Sequence, residues 1–169
     1  MKRLCCGFAV LLAGLAGLLL GPVTWAEPND ATYQNVSLNC EGIRLRLKQV
    51  QVNDSLTRVN YGQAYESLIE KVMTPANTRL VANRYNASEL VGLTTRFNSG
   101  LQHFRETYRN YKNKLDELIT LDCKNNPVEF YKRLEVVRSA RSDLGRQLEM
   151  LDGQMDVYKV AIREAVDGQ

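Results

Sequence analysis

Few residues in this 169-residue chain could do chemistry: there is one histidine, His103, and four cysteines, Cys5, Cys6, Cys40 and Cys123. Cys5 and Cys6 fall in an amino-terminal leader, which leaves Cys40 and Cys123 as an even pair. In an exported chain such a pair is most simply a disulfide formed in an oxidising compartment. Zinc would need further thiolate or imidazole ligands, and a single histidine cannot supply them. His103 stands two positions past an apolar seam residue, Leu101, and so points outward; that position also disfavours an axial haem pair with Met73 or Met155. Covalent haem attachment needs Cys-x-x-Cys-His, which is absent. The chain has no Gly-rich phosphate loop, no His-Glu-x-x-His, no Gly-x-Ser-x-Gly and no doubled Glu-x-x-His. It therefore reads as a non-catalytic protein with no metal and no cofactor.

The elements that hold these residues are long helices. From Phe130 the positions Leu134, Val137, Arg141, Leu144, Leu148, Leu151, Met155, Tyr158, Ile162 and Ala165 follow at steps of four and three. That is a heptad seam, and only a helix keeps it on one face. Asn126 as cap, Pro127 at the first helical position and Glu129 three residues after the cap mark its start. A second seam runs Leu90, Leu93, Phe97, Leu101, Phe104, Tyr108, Tyr111, Leu115, Leu118, with a stutter beside Gly100 that should loosen the helix. Asn86 to Glu89 resembles a capping box before it. A third runs Ile43, Leu47, Val50, Asp54, Thr57, Tyr61, Ala64, Leu68, capped by Asn39 and ended near Met73 by Pro75. The expected helices are thus 39–73, 86–122 and 126–166, with 75–85 either a short helix capped by Thr74 with Pro75 at its first position or a loop at the tip of a hairpin. Residues 27–38 carry Pro, Asn and Asp without a period and read as a flexible lead-in.

Short turns between long helices make them antiparallel neighbours. Cys40 then meets Cys123 at one end of the assembly, and a bridge over a loop of this size is worth roughly 4 kcal/mol. Counting from that base, Asp54 stands 14 positions past Cys40, Tyr108 stands 15 before Cys123 and Arg141 stands 15 past Asn126. These three should share one buried polar layer, tolerable only if paired and hydrogen-bonded, whose simplest role is to fix register. Leu45, Val52, Leu56 and Val59 fall on the outer side of the first helix, where another element or a partner must cover them.

The leader has Lys2 and Arg3, then an uncharged run from Leu4, then Gly21-Pro22 and Thr24-Trp25-Ala26. It reads as a signal peptide cut between Ala26 and Glu27; the alternative is a retained anchor formed by residues 4–26. Cleavage removes two of the 22 basic and none of the 19 acidic residues, which leaves +1. Such a balance gives no reason to bind nucleic acid. On the last helix Lys132, Arg133, Arg138, Arg141 and Arg146 are interleaved with Glu129, Glu135, Asp143 and Glu149, the pattern of a solvated ion-pair face. Asn-x-Ser/Thr sequons at Asn35, Asn53 and Asn86 matter only in a glycosylating host.

The sequence thus predicts an all-α fold, an elongated antiparallel three-helix bundle or coiled coil closed by one disulfide, in residues 39–166 of a secreted or periplasmic protein. Its expected function is structural or protein-binding, through a protein partner or self-association. The alternatives are an envelope holdase or carrier sheltering apolar cargo between helices, and a membrane-tethered coiled-coil spacer.

Overall fold

The computed structural model describes residues 29–167. The leader, its Ala26–Glu27 cleavage point and residues 168–169 lie outside them. Among the described residues the structure is all-helical, with no strand.

Helix α1 (Asp30–Leu38) occupies most of the segment expected to be a flexible lead-in. The Asn29 side chain accepts from the Thr32 amide at 3.1 Å, and Asp30 sits in the first turn, so the helix start is well capped. Val36 is buried, the Tyr33 ring meets Tyr131 edge-on at 6.0 Å, and the Ser37 hydroxyl donates to the Lys124 carbonyl. These few anchors show no period in the sequence, but they hold the segment down. Asn39, expected to cap the next helix, instead turns its side chain back to donate to the Asn35 carbonyl.

Helix α2 (Cys40–Leu68) does not stop near Met73. It passes through a π-helical turn, Ile69–Met73, into α3 (Thr74–Ala82), and the Thr74 amide donates to the Ile69 carbonyl. In a regular α-helix the Pro75 ring would collide with the carbonyl four residues back. The wider turn before it shifts that carbonyl and relieves the clash. Helix α3 ends in a reverse cap: the Tyr85 amide donates to Leu80 and the Arg84 amide to Val81, with Arg84 left-handed at φ 65°.

Helices α4 (Ser88–Thr120) and α5 (Pro127–Asp167) lie side by side. Their residues meet in opposite order, Glu117 beside Arg133 and Gly100 beside Leu151. All nine expected seam residues of α4 are buried, as is Ile119. On α5 the buried set is Phe130, Val137, Ala140, Leu144, Leu151, Tyr158 and Ala161. Arg141 belonged to the expected seam, yet it is exposed. A Cβ added at Gly100 would meet Leu151 at 3.0 Å and the Gln154 oxygen at 3.1 Å. Gly100 therefore marks a close approach of two helices rather than a loose point in one.

Candidate functional site at the second helix

Helix α2 has two faces of different chemistry, and the residues singled out in the sequence lie on one or the other. The inner face packs on α4. The Cα atoms of α2 and α5 stay more than 8 Å apart throughout. Only three α2 residues are buried, Cys40, Asp54 and Tyr65. Ile43, Leu47 and Leu68 pack half-buried against the core, and the remaining ties along the inner face are covalent or polar.

The first tie is the disulfide. Cys40 and Cys123 are bonded, with Cα atoms 5.4 Å apart, across 83 residues of sequence. It fastens the start of α2 to the turn that launches α5. Next, the Arg44 guanidinium donates to the Ile119 carbonyl at 3.1 Å, using a carbonyl left open where α4 frays. Two turns further along α2, the Gln51 amide donates to the Asp116 carboxylate.

At the centre lies a charged cluster. Asp54 accepts two hydrogen bonds from Arg141, at 2.7 Å and 2.8 Å, and one from the Tyr111 hydroxyl at 2.5 Å. The expected third member, Tyr108, is not there. Its ring is buried one turn away, 6.3 Å from that of Tyr111 and with the Arg58 guanidinium 5.7 Å over it. The displacement has a simple cause. Helix α4 ends at Thr120 and Leu121 is extended, so the three positions Leu121 to Cys123 cover more height per residue than a helix would. Counting them as helix overshoots by three residues, the spacing between Tyr108 and Tyr111.

The cluster is also not a slice through the core. The Arg141 side chain is 56% exposed whereas that of Asp54 is 11% exposed. Arg141 spans the open groove between α2 and α5 and closes down on a carboxylate that α2 and α4 bury. Burial disfavours the Asp54 charge, but the Arg141 and Tyr111 hydrogen bonds outweigh it and hold the carboxyl below its usual range. Burial first, and the bond to Asp54 second, push the Tyr111 hydroxyl well above 10. The bond to Asp54 holds Arg141 more firmly protonated. A bidentate guanidinium–carboxylate pair capped by a phenol ties α2, α4 and α5 together at one height.

Higher up, the Tyr65 hydroxyl donates to Asp152 of α5 at 2.7 Å, and its ring meets Phe97 edge-on. Burial, then Asp152, raises this hydroxyl above its ordinary range as well. Glu66 pairs with Arg105. Where the π turn passes into α3, Tyr158 donates to the buried Asn77 at 2.8 Å, and Asn77 donates to Thr94 and the Leu90 carbonyl. The sequence analysis did not single out Tyr65, Asp152, Asn77 or Tyr158 as partners. Tyr158 stood at a seam position, but its polar partner at the matching height needs the register first; Tyr65 lay off the expected seam, which ran through Tyr61 instead, 40% exposed against 4% for Tyr65.

The outer face of α2 is apolar. Leu45, Val52, Leu56 and Val59 are 66%, 54%, 59% and 38% exposed. Elsewhere, His103 is exposed. On α5, Arg133 pairs with Glu129, Arg138 with Glu135 and Arg146 with Asp143. Among the described residues no three His, Cys, Asp or Glu side chains converge as metal ligands would, and no helix is long and apolar enough to cross a membrane. The chain matches no protein-family model, no curated protein and no solved structure.

Proposed function

We propose that this protein is a secreted or periplasmic, non-catalytic interaction module, an elongated antiparallel three-helix bundle of α2, α4 and α5 that presents the outer face of α2 to another protein. The observation that carries this reading is the row Leu45, Val52, Leu56, Val59, large apolar side chains exposed together on a helix whose other face is already occupied. Contiguous apolar surface of this kind marks a binding site more often than chance. The disulfide supports an oxidising, extracytoplasmic location. The ties of the inner face support a rigid platform whose outer face keeps its shape.

The test is substitution of Leu45, Val52 and Val59 by serine. Association with whatever the wild-type chain captures in its own compartment should be lost while helicity and the disulfide persist; undiminished capture would remove the reading. A second reading, a carrier for apolar segments, draws on the groove between α2 and α5, where Leu144 and Leu148 lie beside Thr57 below the Arg141 bridge. It requires that the purified protein suppress aggregation of an unfolded client, and that Asp54→Ala, which frees the bridge, change that suppression.

A further inference from the structure

We infer that the chain end left by leader cleavage, Glu27, docks at the lower end of the groove between α2 and α5, with its carboxylate on Arg138 and Arg141 and its α-amino group on Glu135. This rests on export with cleavage between Ala26 and Glu27, the extracytoplasmic part of the proposed function, and says where the new amino terminus goes.

The groove is the first observation. Tyr131, Arg138, Gly145 and Asp152 recur at intervals of seven, so they form one edge of α5. Both ends of that edge are covered. At the bottom the Tyr33 ring of α1 meets Tyr131, and at the top Tyr65 of α2 donates to Asp152. Between them Arg138, Arg141, Gly145 and Leu148 line an open cavity of about 430 Å³ that faces Asp54 and Thr57. A Cβ added at Gly145 would meet nothing within 4 Å, so there is room beside the arginines.

The second is direction. Helix α1 packs on α5, and their residues meet in opposite order: Ser37 bonds Lys124, while Tyr33, four residues earlier, touches Tyr131, seven residues later. Traced backward, α1 climbs the edge of α5 toward Arg138. Arg138 lies seven positions past Tyr131, roughly 10 Å along the helix. From Tyr33 back to Asn29 the chain climbs roughly 6 Å as helix. Asn29 itself is extended, at φ −88° and ψ 171°, and Pro28 disfavours helical geometry at Glu27. Two extended residues add at most roughly 7 Å. Glu27 thus comes level with Arg138, and Arg141 stands one turn above.

The third is charge. The segment that arrives holds two acids, Glu27 and Asp30, and no basic side chain. The rim it meets carries Arg138, Arg141 and, six positions below Arg138, Lys132, against Glu135. Both arginines have partners that leave donors over. Arg138 gives one nitrogen to Glu135 in an exposed pair that water screens. Arg141 holds Asp54 through Nε and Nη2, which leaves Nη1 to donate elsewhere. Asp54 does not compete for a place, since Arg141 and Tyr111 take its oxygens. A chain end carrying both signs fits a rim that alternates them. An intact leader would remove the amino group, so this contact exists only after cleavage.

The test uses protein purified from its exporting host. Intact mass gives the first residue, and zero-length carbodiimide coupling joins carboxylates to amines in direct contact. The expected chain begins at Glu27 and yields an amide between its α-amino group and the Glu135 side chain, to the same extent at every protein concentration. R138A and E27A each keep the amine and Glu135 but remove half of the anchor. Each should cut the yield of the link about threefold or more, with circular dichroism unchanged, and the charge swap E27R/R138E should restore it. A chain that begins at Glu27 without this link, or a link indifferent to R138A and E27A, would overturn the docking and leave export standing. A chain that keeps its leader would overturn both.

Discussion

The two sides of α4 are held by different physics. Toward α5, ten buried residues of α4 meet seven of α5, almost all apolar, in a continuous seam from Leu90 and Ala161 down to Leu118 and Phe130. On the side of α2 and α3, burial is sparse and the contacts are a disulfide, a bidentate ion pair from α2 to α5, one tyrosine hydroxyl each from α4 to α2, α2 to α5 and α5 to α3, and a cation of α2 over a ring of α4. Apolar burial is non-directional and falls off only as area is lost, whereas each polar tie works at one geometry. The hairpin of α4 and α5 should therefore assemble by itself, and α2 should be laid onto it in one register. A helix held this way can give its outer face to a partner without surrendering core.

The sharpest contrast comes from the hairpin. Phe97→Ala and Phe104→Ala, at side chains 0% and 1% exposed, should each cost about 4 kcal/mol in denaturant unfolding and unfold the whole chain together. Replacing Cys40 and Cys123 by serine should cost a similar amount, about 4 kcal/mol by loop entropy, but selectively: amide protection should fall in α1 to α3 and persist in α4 and α5.

Arg141→Ala leaves the Asp54 carboxylate buried with only Tyr111 to satisfy it. We expect a loss of about 2 kcal/mol, reduced from the value for a fully buried pair because Arg141 is half in water. In an Asp54→Ala background the same substitution should cost under about 0.5 kcal/mol, and additive losses would dissolve the pair. The cluster also sets a pH dependence. Asp54 titrates lower when folded, so its contribution is present above the ordinary carboxylate value of 3.8 and is lost as pH falls through the folded value below it. Tyr65 and Tyr111 titrate higher when folded, so their contribution is full below 10.0 and lost as pH rises beyond it. Asp54→Asn should flatten the acid limb of stability against pH, and Tyr111→Phe with Tyr65→Phe the alkaline limb.

The smallest effects lie in the backbone. Gly100→Ala gains about 1 kcal/mol of helix propensity but forces a methyl against the buried Leu151, and a net loss of about 1 kcal/mol is expected. Arg84→Gly relieves a left-handed residue at the end of α3 and should stabilise by up to about 1 kcal/mol.

The apolar side of this comparison was the legible one. The α4 seam could be read residue by residue because a period of three and four survives any error in where the helix begins. The disulfide was legible because, with Cys5 and Cys6 assigned to a leader, Cys40 and Cys123 had only each other. The polar side depends on height, and height depends on where helices end. The non-helical positions Leu121 to Cys123, which climb faster than a helix, moved the phenol from Tyr108 to Tyr111. Pro75 reads as a stop, yet a π turn carries the helix through it. On α5 the period was right but the stripe was not unique: Ala140 and Ala161 are buried while Arg141 stands at the edge, since a helix with neighbours on two sides carries two adjacent stripes. Helix α1 was missed because caps and isolated anchors, without periodicity, fix it.

The most direct test of the contrast is native-state hydrogen exchange on the oxidised and the reduced protein under conditions where both are folded. The expected result is that reduction lowers protection across Cys40–Ala82 by several orders of magnitude, while the amides of α4 and α5 keep most of theirs. Equal loss of protection in all the helices would mean that α2 is part of one cooperative core, and would contradict a second helix laid on by polar and covalent ties.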